Sequence, residues 1–260
     1  MDKSRSPIGL FDSGIGGTSI WKEIHALLPF EDTIYLADSK NAPYGQKSST
    51  EILNLSIKNT EFLLEEGCKI IVVACNTATT NAIKELRAKY NVPFIGIEPA
   101  IKPAATHTKT QTIGILATQG TLNSELFSKT VSNFTDVKVI EQVGHGLVTL
   151  IEEGNLDSQE MERLLQAYLQ PMIEANIDCL VLGCSHYPYL VPQIRKILPE
   201  GIKIIDSGEA VARQTKNILG LSNLLNETVE KGRQVFYTNG NPEVLKAILG
   251  HSYSVIKKDF

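Results

Sequence analysis

Two short stretches of this 260-residue chain repeat one pattern, Cys68 to Thr77 and Ile177 to His186. In each, an uninterrupted apolar run is followed by a small residue, a cysteine and groups able to hydrogen-bond. The cysteines are Cys75 and Cys184; Asn76 and Thr77 follow the first, Ser185 and His186 the second. A short apolar run with no alternation is the mark of a strand buried on both faces, as in a parallel sheet between helices. The 109 residues between Cys75 and Cys184 are the length of a compact domain. Two halves of this kind, facing each other, would place one substrate between two thiols. That arrangement suits proton removal on one face and proton return on the other.

The rest of the chain keeps to the same plan. Short β-rich runs alternate with helical stretches, which predicts an α/β fold of mostly parallel sheets flanked by helices. Strands are expected at Ile8–Phe11, Thr33–Ala37, Ile70–Ala74 and Phe94–Ile97, with a helix over 77–90 that turns Ala82, Ile83 and Leu86 inward. The series then restarts at Thr112–Leu116 and continues through Val137–Ile140, Cys179–Gly183 and Lys203–Ile205. Repetition of element order, and not of one motif alone, points to an internal duplication. A boundary is expected between Ile97 and Thr110, where Pro99, Pro103 and three threonines break the helical pattern. Beyond Asp206 the pattern gives helices, a strand at Gln234–Tyr237, a turn and a last helix. This tail packs back on one half, and the pattern does not say which.

A net charge of −4 supplies no basic surface for a nucleic-acid backbone, so no nucleic-acid partner is expected. No apolar stretch is long enough to span a bilayer, and the N-terminus lacks the apolar core of a signal peptide. Four cysteines without CxxC pairs fit neither a disulfide scaffold nor a structural zinc site. A cytoplasmic protein with reduced thiols and no metal is expected.

Ligands of open α/β sheets bind beyond the carboxyl ends of the strands. The polar turns at such ends are Asp12-Ser13-Gly14, Pro43-Tyr44-Gly45, Cys75-Asn76-Thr77 and Cys184-Ser185-His186, with Thr118 and Thr121 after the fifth strand. Asn76 and Thr77 open a helix, whose free N–H groups favour a carboxylate and lower a thiol pKa. A lone cysteine there is as well read as a small buried hydrophobe; a matched pair at equivalent strand ends favours reactivity. Cys68 and Cys179, at the strand starts, are read as packing residues. Asp12-Ser13-Gly14-Ile15-Gly16-Gly17-Thr18 is neither GxGxxG nor a phosphate loop, and Asp12 is equally placed to cap the following helix. His186, beside Cys184, is placed for acid/base assistance, whereas His25, His107, His145 and His251 have no such setting.

Taken together, Asp12-Ser13-Gly14-Ile15-Gly16-Gly17, Pro43-Tyr44-Gly45, Ala74-Cys75-Asn76-Thr77-Ala78, Gly183-Cys184-Ser185-His186-Tyr187-Pro188 and Phe236-Tyr237-Thr238 with Gly240 and Pro242 resemble the glutamate racemases of the aspartate/glutamate racemase family. The resemblance runs in the family's order over nearly the whole chain. It implies cofactor-independent interconversion of L- and D-glutamate, supplying D-glutamate for peptidoglycan. It implies two pseudo-symmetric α/β domains with the site between them, residues 1–98 with 208–260 in the first and 99–207 in the second, and a homodimer as the default assembly. Cys75 would act on the D-enantiomer and Cys184 on the L-enantiomer, Asp12 assisting the first and Glu152 and His186 the second. Asp12, Ser13, Pro43, Tyr44, Gly45, Cys75, Asn76, Thr77, Thr118, Thr121, Cys184, Ser185 and His186 would bind substrate. The family has threonine where Ser185 stands, proline where Thr149 stands, and a different approach to Pro43-Tyr44-Gly45. Its activated members carry an N-terminal extension that receives a cell-wall precursor; with a first strand near residue 8, that activation is not expected.

Overall fold

The computed structural model describes residues 3–250 and 252–260. Among the described residues, ten strands form two parallel sheets. β1 (Ile8–Asp12), β2 (Thr33–Ala37), β3 (Ile70–Val73) and β4 (Phe94–Gly96) lie in the first, together with β9 (Gln234–Thr238) and β10 (Val255–Lys257). β5 (Thr112–Ala117), β6 (Lys138–Val143), β7 (Cys179–Gly183) and β8 (Lys203–Ile205) form the second. The orders are β10-β9-β2-β1-β3-β4 and β6-β5-β7-β8. Without the tail strands, the first sheet reads 2-1-3-4 and the second repeats it as 6-5-7-8. The expected repetition of element order is therefore present as repetition of topology.

The central strands explain why the sequence runs were so uniformly apolar. Every residue of β1, β3, β5 and β7 is buried, because helices cover both faces of a parallel sheet. The edge strands β6 and β8 are half-exposed and carry charged residues. One apolar core runs across both halves, from Ile8, Leu10 and Ile15 to Leu116, Leu147, Leu182 and Tyr187.

The tail rejoins the first sheet, with β9 pairing parallel to β2 and β10 to β9. The helix Gly208–Leu221 packs on the helix Thr18–Leu27. Trp21 anchors that return, meeting Phe236 and Tyr253 edge-on at 4.7 and 5.1 Å while its indole N–H donates to Thr33 Oγ1. Such aromatic pairs stabilise beyond the area they bury.

Two expectations need correction. The stretch between Ile97 and Thr110 contains a helix, Ile101–His107. Pro103 lies in its first turn, where the missing N–H has no intrahelical acceptor to lose. β10 was not expected at all, since three residues, two of them exposed, give no usable period.

Candidate active site

In each sheet the chain order reverses beside the first strand, between β1 and β3 in one and between β5 and β7 in the other. Ligand crevices of open α/β sheets form at such switch points. Asp12 ends β1 and Ser13 follows it, and Cys75, Thr118 and Cys184 lie just beyond the ends of β3, β5 and β7. All four turns meet at a small cavity walled by Ser13, Pro43, Tyr44, Gly45, Cys75, Asn76, Thr77, Thr118, Cys184, Ser185 and His186, with Val148. Of the residues named from sequence, Asp12, Glu152 and Thr121 stand behind this wall. Val148 was missed, since an apolar residue in an apolar helix carries no polar signal. A much larger surface groove, lined by Asp157, Arg163, Gln166 and Lys196 among others, holds none of these groups.

The two thiols are served differently. Cys75 is the N-cap of the helix Asn76–Lys89; its Sγ accepts the Ala78 N–H at 3.4 Å and lies 3.7 Å from Ser13 Oγ. Burial and then the Asp12 charge push the Cys75 thiol well up, against the pull of the Ala78 N–H and the Ser13 hydroxyl. Cys184 caps no α-helix, contrary to the symmetry expected from sequence; a 3-10 turn, Tyr187–Leu190, follows instead. Its Sγ is 3.8 Å from His186 Nδ1. Cys68 and Cys179 are buried away from the cavity, and burial pushes the Cys68 thiol up to about 12.

His186 is the hub of the second side. Its Nε2 lies 2.5 Å from Glu152 Oε1, and its Nδ1 3.9 Å from Asp12 Oδ2. Burial opposes the imidazolium, but hydrogen bonding to Cys184 and Glu152 and the Asp12 charge outweigh it and hold His186 well above its usual range. Asp12 is fully buried; it accepts the Gly17 N–H at 2.9 Å and the Ser185 hydroxyl at 3.2 Å. Burial lifts its pKa, with the His186 charge working the other way. Glu152 and not Glu153 faces the site: Glu153 pairs with Asn155 on the surface.

The glycine turn owes its composition to these neighbours. A Cβ on Gly16 would sit 2.2 Å from His186 Nδ1, and one on Gly14 1.9 Å from Glu152 Oε1. Thr77, Thr118 and Thr121 form a hydroxyl triangle with edges of 2.8, 3.0 and 3.4 Å. The Tyr44 hydroxyl donates to Asp38 at 2.5 Å and accepts from Asn59 at 3.1 Å. It is thus committed to the fold, and Tyr44 offers the cavity its ring and backbone. Of the remaining histidines, His25 stacks on Trp21 and His107 meets the Pro103 carbonyl. His145 is exposed, and His251 lies outside the described residues. Among the described residues no group of three or more His, Cys, Asp or Glu side chains is arranged to hold a metal ion, and no helix is long and apolar enough to cross a membrane.

Asn76 is 2% exposed, and neither its amide nitrogen nor its carbonyl oxygen has a protein partner. Buried polar groups are nearly always satisfied, and Asn76 is among the residues that wall the cavity. Asn76→Ala removes no protein hydrogen bond. The expected result is an unchanged or higher melting temperature with KM raised about tenfold or more, the worth of a lost hydrogen bond to a charged ligand. A lowered melting temperature with unchanged KM would make Asn76 a structural residue.

The Asp/Glu/Hydantoin racemase family matches residues 8–215 of this sequence. The chain belongs to that family. It is 45% identical over 237 residues to a glutamate racemase of Herpetosiphon aurantiacus, covering 91% of this chain and 93% of the relative. The crystal structure of a glutamate racemase isoform from Bacillus anthracis superimposes with a TM-score of 0.88 at 32% identity, over 98% of both chains. A Francisella tularensis glutamate racemase in complex with D-glutamate gives 0.84 at 29%, again over 98% of each. Family membership makes the chain an isomerase of the racemase type, with the two-sheet fold of its solved relatives.

Proposed function

We propose that this chain interconverts L-glutamate and D-glutamate without a cofactor, by a proton relay through Cys75 and Cys184, and supplies D-glutamate for peptidoglycan in the cytoplasm. The observation that carries the reading is the pair of thiols at equivalent strand ends, lining one cavity. The relatives' names support the substrate. The division into 1–98 with 208–260 and 99–207, and a homodimeric assembly, go with the same reading.

The chemical difficulty is a weakly acidic Cα–H with no pyridoxal to spread the charge. Burial and Asp12 both oppose a Cys75 thiolate. A substrate ammonium entering beside Asp12 reverses that balance, since a nearby cation favours the thiolate. From D-glutamate, Cys75 S⁻ then takes the Cα proton, and the bond pair stays on Cα as an enolate. Hydroxyls and N–H groups around the carboxylate stabilise the developing charge; Asn76, Thr77, Thr118, Ser13 and Ser185 are the groups at hand, with Thr121 fixing the threonines. Cys184 Sγ–H delivers a proton to the opposite face, which yields L-glutamate, a Cys75 thiol and a Cys184 thiolate. The reverse reaction starts from that state. The two thiols therefore hold opposite protonation states through the cycle, with Asp12 assisting Cys75, and His186, held by Glu152, assisting Cys184. Loss of the circular dichroism of L-glutamate, but not of L-aspartate, on incubation with the purified protein is the expected result. Loss for aspartate alone would assign a different substrate.

A further inference from the structure

Glu152 belongs to the second half by sequence, at the end of the helix Leu147–Glu152, yet two of its three hydrogen bonds come from the first. Oε1 accepts the Ile15 N–H at 2.7 Å while meeting His186 Nε2 at 2.5 Å, and Oε2 accepts the Ser39 hydroxyl at 2.7 Å. Ser39 begins the 3-10 turn Ser39–Asn41 that follows β2. The returning tail backs that turn. Asn239 accepts the Lys40 N–H at 2.9 Å, and a Cβ on Gly240 would lie 2.6 Å from Ser39 Cβ. Ser39 is thus held between the tail and the carboxylate. The terminal torsion of a glutamate is broad and nearly two-fold, so an anchor on Oε1 alone leaves the group free to rotate away from the imidazole. A second anchor on Oε2 stops that rotation.

We propose that Ser39 is a positioning residue that acts through Glu152: by holding Oε2 it keeps Oε1 on His186, so a loop of the first half sets the group that serves the Cys184 face. This rests on the racemase reading above, and the assistance reaches Cys184 through His186. The geometry makes it specific to a hydroxyl at position 39. A charge-assisted hydrogen bond of this kind corresponds to about a tenfold loss or more when removed.

The test compares Ser39→Ala with the isosteric pair Ser39→Thr and Ser39→Val, each also in a Glu152→Gln background, for kcat/KM and for the His186 Nε2 proton resonance without substrate. Ser39→Ala and Ser39→Val are expected to lower kcat/KM about tenfold and to shift that resonance upfield, with Ser39→Thr within about twofold of the parent. In the Glu152→Gln background the same substitutions should add nothing, because the group they act through is already changed. A full additive loss in that background, equal activity of Ser39→Thr and Ser39→Val, or an unmoved resonance in Ser39→Val would overturn the proposal. A parent protein that shows the Glu152-dependent resonance and its Ser39 dependence, but racemises nothing, would remove the racemase reading and leave the Ser39–Glu152–His186 link standing.

Discussion

Cys75→Ala and Cys184→Ala are each expected to lower racemisation by at least about 10⁴-fold, the upper range for losing a positioned proton-transfer group. Inversion needs a group on each face of Cα, so neither thiol can stand in for the other. The residual chemistry should differ between the two variants. With Cys184 gone, Cys75 still takes the D-enantiomer's Cα proton and returns a solvent deuteron to the same face. Cys184→Ala should therefore exchange D-glutamate slowly without inverting it, and Cys75→Ala should do the same with L-glutamate. Because the two enantiomers are equal in free energy, kcat/KM must stay equal in both directions in every variant. The asymmetry is visible only in this exchange, read by NMR at Cα. Full two-way racemisation in either alanine variant would sink the two-thiol scheme.

Gly16→Ala is the second large effect. The added methyl would meet His186 Nδ1 at 2.2 Å and Cγ at 2.4 Å. His186 is 1% exposed, so the ring has no solvent to move into and is driven off Cys184 and Glu152. A misplaced acid/base group is expected to lower kcat/KM by about 10² to 10³-fold. Gly154→Ala is the control. Gly154 has φ of +79° with nothing near its Cβ position, so alanine there costs about 1 to 2 kcal/mol of stability and leaves turnover unchanged. Thermal melts alongside initial rates separate the two cases. A Gly16→Ala enzyme with normal kcat/KM would mean that the ring does not need the place it occupies.

Much of the architecture was legible because β1, β3, β5 and β7 are buried on both faces, and unbroken apolar runs are the strongest local strand signal. The glycine turn was legible as a close approach, but not what approached it. His186 and Glu152 come from 170 and 137 residues away in sequence, and no local pattern carries that distance. The same limit hid Ser39, whose partner lies 113 residues on, and β10, whose pairing with β9 supplies what its own residues lack. The supposed equivalence of the two thiols was read from similar strand ends. It failed at the next residues, where Asn76-Thr77 opens an α-helix and Ser185-His186 leads into a 3-10 turn.

The most direct test of two-sided proton transfer is incubation of the pyridoxal-free protein with L-glutamate in D₂O, with Cα deuterium followed by NMR and chirality by circular dichroism. A one-base enzyme would return some of the original proton to the product. Two bases, each exchanging with solvent, predict D-glutamate that carries deuterium at Cα from the first turnover, while unreacted L-glutamate keeps its proton at early times. Product D-glutamate retaining the substrate's proton, or no inversion and no exchange at all, would contradict the account.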